Sequence, residues 1–428
     1  MTASTATRAC SAVALGCVAA LAWGLLHLDG CFRSPDRILR WFALPLVGLA
    51  LATAFALLPG AGRLALAATL STWGLFEVGF GLARAWREPR IESSIAREYY
   101  QPDPTLGYAP LPGVRTRAWK RVADELLYDV EYHIDALGRR VTPVEPRAGR
   151  DRFLLVFGDS FAFGEGVQDD ETLPACVARR APRYAPYNYA FHGYGPPQLL
   201  AKLESGTLRR EVDEAQGTLL YVFIGAHVSR AIGSMVVYTG WAHDAPYYAL
   251  DAEGMPRRMG TFTTGRPWTS IAYALLGRSQ VLGLLHLDVP LVVSDRDVEL
   301  AARLIVRSAT LFHEQFGPQR FVVAAYPERW PSQLARRLAR VLAGEGIEVL
   351  DYTSLFGSDR AEYFFPEDRH PMARAHAAVA ERLVEDLDLA GDPAPPLVEA
   401  AGRAAREAGR SPSRATKDRL AIAPGGER

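Results

Sequence analysis

The sequence predicts an α/β domain of three layers, a mostly parallel sheet with helices on both faces. Short apolar runs carry the first part of that reading. Phe153–Phe157, Leu219–Ile224 and Phe321–Tyr326 are unbroken, as in strands buried on both faces, and Ile347–Leu350 is a fourth run interrupted by Glu348. Helical patterns carry the second. Asp297–Phe316 places Leu304, Ile305, Ala309 and Phe312 at helical spacing, and Ser332–Leu342 and Pro371–Leu387 read the same way. Strands alternating with helices point to a parallel sheet, in which chemistry gathers beyond the carboxyl ends of the strands.

Ahead of this domain the chain has a different character. Ala9–Leu28 and Trp41–Gly62 carry no formal charge, and Leu64–Ala83 carries one acid, Glu77. Each stretch nears the roughly 20 apolar residues that cross a bilayer as a helix. Residues 1–92 are therefore expected to form a membrane region of three transmembrane helices; a buried hairpin or a cleaved signal peptide fits less well. Arg33, Arg37 and Arg40 follow the first stretch, and Arg84, Arg87, Arg90 and Arg97 the third. By the positive-inside rule this would leave the rest of the chain in the cytoplasm.

Residues 93–150 read as a small β-rich lead-in. Leu126, Tyr128, Val130, Tyr132 and Ile134 alternate with polar residues, and Ala136-Leu137-Gly138 reads as a turn. The α/β domain is expected over 151–388. Within it Val228–Pro290, rich in Gly, Tyr, Trp and Pro, has the length of a lid or substrate loop. Residues 389–428, rich in Ala, Arg, Pro and Gly, read as a disordered tail.

Composition narrows the function. The formal net charge is zero, which gives no argument for a nucleic-acid partner. Of four cysteines only Cys176 lies outside the apolar N-terminal region, and no Cys/His cluster has metal-ligand spacing. No metal or organic cofactor is implied.

Two segments can do chemistry. Gly158-Asp159-Ser160-Phe161 follows the Phe153–Phe157 strand, with Gly164 and Gly166 close behind. A serine there can present its hydroxyl beside free backbone N–H groups, but it needs a base to become nucleophilic. The tripeptide alone also makes an ordinary turn or helix cap. Asp368-Arg369-His370-Pro371 precedes the last helix, and there Asp368 could orient the His370 ring as the third member of a triad does.

Together these residues resemble the SGNH (GDSL) hydrolase superfamily over roughly Asp151–Leu387, and the resemblance implies a flavodoxin-like α/β/α domain. Ser160 would be the nucleophile, His370 the base and Asp368 its acid partner. Asn188-Tyr189-Ala190-Phe191-His192-Gly193-Tyr194-Gly195 resembles the family's glycine block, which implies oxyanion donors at Ser160 and Gly193. Where the family usually shows Gly-x-Asn-Asp, this chain has Gly225-Ala226-His227-Val228, so His227 would stand in for the oxyanion Asn. Arg230 nearby is a weaker candidate for binding an anionic substrate. Tyr99–Tyr108 resembles the segment preceding membrane-anchored members, which implies a domain outside the cytoplasmic membrane, against the arginine distribution.

The expected function is a membrane-anchored serine ester hydrolase, or an O-acyltransferase if a sugar hydroxyl replaces water. Its substrate would be an acyl ester, with O-acetyl groups of cell-envelope polysaccharide as one candidate. The alternative is a catalytically degenerate domain serving as a glycan-binding or envelope-assembly module, a reading that His227 favours. A membrane assembly role for the N-terminal region is a third.

Overall fold

The computed structural model describes residues 61–87, 91–93, 99–330 and 332–391. The first apolar stretch, all but the last two residues of the second, and nearly all of the expected tail lie outside them. The third falls on helix α1, Ala61–Arg87. No described helix is long and apolar enough to cross a membrane, so the expected third transmembrane helix is corrected. Its acid shows why: Glu77 is fully buried and accepts hydrogen bonds from the Ser279 hydroxyl and the Gln280 and Val281 N–H groups. The helix is tied through that carboxylate to a neighbouring protein segment.

Next come β1 (Ile91–Ser93), β2 (Tyr100–Asp103), β3 (Gly107–Pro110), β4 (Arg115–Val122) and β5 (Glu125–His133). β1, β4 and β5 form one antiparallel sheet, and β2 and β3 a second. The alternation seen in the sequence survives in β5, where Tyr128, Val130 and Tyr132 are buried between half-exposed and exposed neighbours.

The main domain alternates as expected: β6 (Arg152–Phe157), α2 (Ser160–Phe163), α3 (Leu173–Arg180), β7 (Tyr184–Asn188), α4 (Pro196–Glu204), β8 (Gln216–Phe223) and α5 (Ala226–Ile232). An insertion follows α5. The insertion is not a loose loop: it folds into a hairpin, β9 (Pro246–Leu250) and β10 (Pro256–Thr261), and helices α6 (Pro267–Leu276) and α7 (Gln280–Leu284). Val237, Tyr238, Ala242, Ala245 and Phe262 give it a small core of its own.

The closing elements are α8 (Asp295–Phe316), β11 (Arg320–Ala325), α9 (Gln333–Gly344), β12 (Glu348–Asp351) and α10 (Ala373–Asp386). The five-stranded parallel sheet has the order β12-β11-β8-β6-β7. In order of appearance this is 2-1-3-4-5, the flavodoxin-like arrangement, whose topological switch falls between β6 and β8. Residues alternate between the two faces. Leu154, Val156, Leu220 and Val222 pack toward α3 and α10, while Phe153, Leu155, Leu219 and Tyr221 pack toward α4, α8 and α9. Both faces are covered, which is why the strands read as continuous apolar runs.

Candidate active site

At the switch point β6 turns sharply into α2. Gly158 has φ 154°, and a Cβ there would lie 2.8 Å from both the Val222 carbonyl and the Ala162 methyl, so only glycine lets the strands come this close. Asp159 caps the helix by accepting the Phe161 N–H at 3.0 Å. Ser160 is then the first helical residue, and its own N–H has no carbonyl within the helix to bond.

The structure brings Ser160, His370 and Asp368 together across 210 residues of chain. His370 Nε2 lies 2.8 Å from Ser160 Oγ, and Nδ1 lies 2.6 Å from Asp368 Oδ1. With Nδ1–H donated to Asp368, Nε2 is free to accept the serine proton. Burial by itself would depress the His370 pKa, but the Glu165 and Asp368 carboxylates outweigh it and the net shift is upward.

Several residues not expected as site residues complete this site. Lys120, from β4, places its ammonium 3.1 Å from Asp368 Oδ2, an oxygen buried without any hydrogen-bond partner among the described residues. Glu165, just beyond α2, places Oε2 3.4 Å from His370 Nε2. The same oxygen is 2.6 Å from His192 Nδ1, and His192 Nε2 is 2.5 Å from the Tyr99 hydroxyl. Tyr128 donates to Glu165 Oε1 at 3.3 Å. Burial would raise the Glu165 pKa, yet His370 and His192 bring it down to about 2. Arg140, fully buried, fixes the loop that carries Glu165 by donating to the carbonyls of Phe163 and Val167 at 2.9 and 2.7 Å. Lys120, Tyr99 and Tyr128 all come from the lead-in, which thus forms one wall of the site.

Gly193 lies in the loop after β7. The neighbouring Phe191 N–H donates to the Gly158 carbonyl at 3.4 Å, which ties this loop to the nucleophile turn. Gly193 has φ 71°, and a Cβ there would meet Trp241 Nε1 at 2.4 Å and the Tyr108 hydroxyl at 2.7 Å.

His227 and Arg230 occupy other roles. The His227 ring is completely buried, with Nδ1 2.8 Å from the Tyr221 hydroxyl and Nε2 3.4 Å from Asp159 Oδ2. Burial pushes its pKa down, only partly offset by Asp159, which keeps the ring neutral. Nε2 makes no hydrogen bond among the described residues, and the group nearest it in the structure is the Asp159 carboxylate rather than an open oxyanion site. Arg230 donates to Asp159 Oδ2 at 2.6 Å and to the Tyr194 carbonyl at 2.8 Å, which commits it to the same carboxylate rather than to a substrate. Burial would raise the Asp159 pKa, but Arg230 and His227 hold it well below the usual carboxylate range.

A cavity lined by Gln101, Leu106, Gly158, Tyr194, Gln198 and Lys202 has none of the three triad residues in its wall. It opens beside the nucleophile turn, between the lead-in and the carboxyl ends of β6 and β7, without including Ser160.

No protein-family model matches the chain, and no curated protein does. Among solved structures it is similar to a member of the lipolytic G-D-S-L family from Veillonella parvula DSM 2008, at 14% identity and TM-score 0.32, over 55% of this chain and 97% of that one. It is also similar to an acetyl xylan esterase from Butyrivibrio proteoclasticus, at 12% identity and TM-score 0.31, over 63% and 75% of the two chains. A two-domain esterase active on acetylated mannans is similar at 10% identity and TM-score 0.33, over 58% of this chain and 53% of that one. Likenesses this faint carry no functional argument, and the side-chain geometry has to supply it.

Proposed function

We propose that this chain is a serine ester hydrolase, able to act as an O-acyltransferase where an alcohol replaces water. The observation that supports this reading is the unbroken relay from Ser160 Oγ through His370 to Asp368, at 2.8 and 2.6 Å. Ser160 attacks the ester carbonyl while its proton passes to His370 Nε2. The developing oxyanion is met by the N–H groups of Ser160 and Gly193. His370 then gives its proton to the departing alkoxide as the C–O bond breaks, leaving an acyl-enzyme. A water or sugar hydroxyl surrenders its proton to Nε2, attacks the acyl carbon, and Ser160 leaves with that proton. The degenerate-module reading drew on His227. With that ring beside Asp159 the site keeps two backbone donors in place of the family's three, and the intact relay is what weighs for turnover over the degenerate module.

The substrate we propose is a short acyl ester, O-acetylated envelope polysaccharide included. Membrane attachment is proposed through Ala9–Leu28 and Trp41–Gly62, with the domain outside the cytoplasmic membrane. The test uses the full chain with a fluorophosphonate probe, p-nitrophenyl acetate and acetylated glycans. Ser160→Ala and His370→Ala should each lower turnover by roughly a thousandfold or more and abolish labelling. A folded wild-type chain that neither labels nor turns over any ester would refute the reading.

A further inference from the structure

We propose that Glu165 is a second carboxylate of the catalytic relay, accepting from His370 Nε2–H while the proton is held between Ser160 and the acyl acceptor, with His192, Tyr128 and Tyr99 fixing it in place. The inference rests on the ester-transfer reading above.

The geometry makes the case. His370 Nε2 is the atom that takes and returns the proton. It sits 2.8 Å from Ser160 Oγ and 3.4 Å from Glu165 Oε2. In the neutral ring the Nε2 lone pair faces a carboxylate, which is unfavourable. Once Nε2 is protonated, the same carboxylate becomes a second acceptor beside the serine oxygen. Glu165 therefore stabilises the imidazolium and does little for the neutral base. That is the differential interaction catalysis requires, because the imidazolium exists only after Ser160 has attacked.

A passing ion pair would not need so much support. Both carboxylate oxygens are engaged, Oε2 by His192 Nδ1 at 2.6 Å and Oε1 by the Tyr128 hydroxyl at 3.3 Å. His192 is held in turn by Tyr99 at 2.5 Å. The adjoining Gly166 N–H donates to the Tyr132 hydroxyl at 2.8 Å, and a Cβ at Gly166 would meet Phe365 Cε2 at 2.7 Å. Tyr99, Tyr128 and Tyr132 belong to the lead-in, so an entire side of the pocket positions one acid against Nε2.

Protons and bonds balance as in the two half-reactions above. Glu165 stays ionised throughout, in keeping with its low pKa, and takes no proton of its own. The cost is a resting enzyme that protonates too readily. The other charged groups facing His370 are Asp368 on its own loop and Asp159 at the start of α2, while Lys120 on β4 pairs with Asp368 and also lowers the Glu165 pKa. His376 on α10, also near, is neutral.

The experiment is the pH dependence of kcat/KM and of fluorophosphonate labelling for the full chain, beside Glu165→Gln and Glu165→Asp. An NMR titration of the His370 imidazole accompanies them. Glu165→Gln should move the acid limb and the His370 titration down by about one pH unit or more and lower plateau kcat roughly tenfold. Glu165→Asp should retain part of the upward shift. An acid limb and a titration unmoved in folded Glu165→Gln would overturn the proposal. If that variant fails to fold, Glu165→Asp decides: a His370 midpoint and acid limb lowered from wild type support the proposal, and both unmoved refute it. Failure of the ester reading shows separately, as wild type without Ser160 labelling, and leaves the NMR titration to judge Glu165.

Discussion

Lys120 offers the sharpest test of how the lead-in and the α/β domain share one site. Its ammonium stands 3.1 Å from Asp368 Oδ2, and the side chains are 18% and 1% exposed. At an effective dielectric of about 20, two unit charges at that distance attract by about 5 kcal/mol. Desolvation and the partial exposure of the lysine offset much of this. Lys120→Met, which keeps the apolar stem, should cost about 2–3 kcal/mol by stranding a buried carboxylate. For a domain of this size that lowers Tm by roughly 4–10 °C. The sign on catalysis is equally definite. Without the ammonium the full charge of Asp368 acts on His370, whose pKa is already raised. The acid limb of kcat/KM should move to higher pH, opposite to Glu165→Gln. Differential scanning fluorimetry and a pH–rate series read both effects. A Tm unchanged within about 1 °C together with an unmoved acid limb would show that the ion pair does not bear on the relay.

His227→Phe removes both ring nitrogens at similar volume, leaving Asp159 and Tyr221 short of a partner. It should cost about 2 kcal/mol in chemical denaturation while kcat of the folded fraction stays within roughly tenfold of wild type. A loss of about 10²–10³-fold would restore the ring to the oxyanion hole. His376 is fully buried, and burial followed by the charges of Arg140 and His370 depresses its pKa from 6.5 to about 3. The unfolded chain binds a proton there that the folded chain refuses. Its contribution to stability is thus complete above pH 6.5 and is lost as pH falls toward 3, by at most about 5 kcal/mol. His376→Phe should flatten the stability–pH curve over that window, and parallel curves for variant and wild type would contradict the assignment.

The parts legible in sequence are those whose neighbours repeat a local pattern. Strands β6, β8 and β11 declared themselves because both faces are buried, and α8 because its apolar stripe runs the length of the helix. β7 went unread because Pro186 sits in its middle. The strand tolerates it at the sheet edge, where β6 is its neighbouring strand and an isolated bridge from Arg140 reaches only Asn188 at its end. Glu77 shows the converse. One acid in an apolar stretch left a membrane span plausible, and only the partner segment some 200 residues away reveals a buried capping carboxylate. In the site, Ser160, Asp368 and His370 lie in short local motifs. Glu165 and His192 also lie within those blocks, but nothing local marks a glutamate five residues past the serine as facing the histidine.

Why the lead-in belongs to the chemistry follows from where charge must be placed. A parallel sheet delivers Ser160 and His370 to its carboxyl edge, but that edge is open on one side, and an imidazolium formed there would draw its stabilisation from water. The lead-in covers that side with tyrosines and one lysine as well as apolar residues. Tyr128 and Tyr99 support Glu165 and His192, and Lys120 balances Asp368. The result is two carboxylates on His370, one at each ring nitrogen, with the Lys120 ammonium paired directly to the Nδ1 partner. That asymmetry matters. The Nδ1 carboxylate orients the ring in every state. The Nε2 carboxylate is felt most strongly when the proton has arrived, so the field of the site favours the charge distribution of the tetrahedral intermediate over that of the resting enzyme.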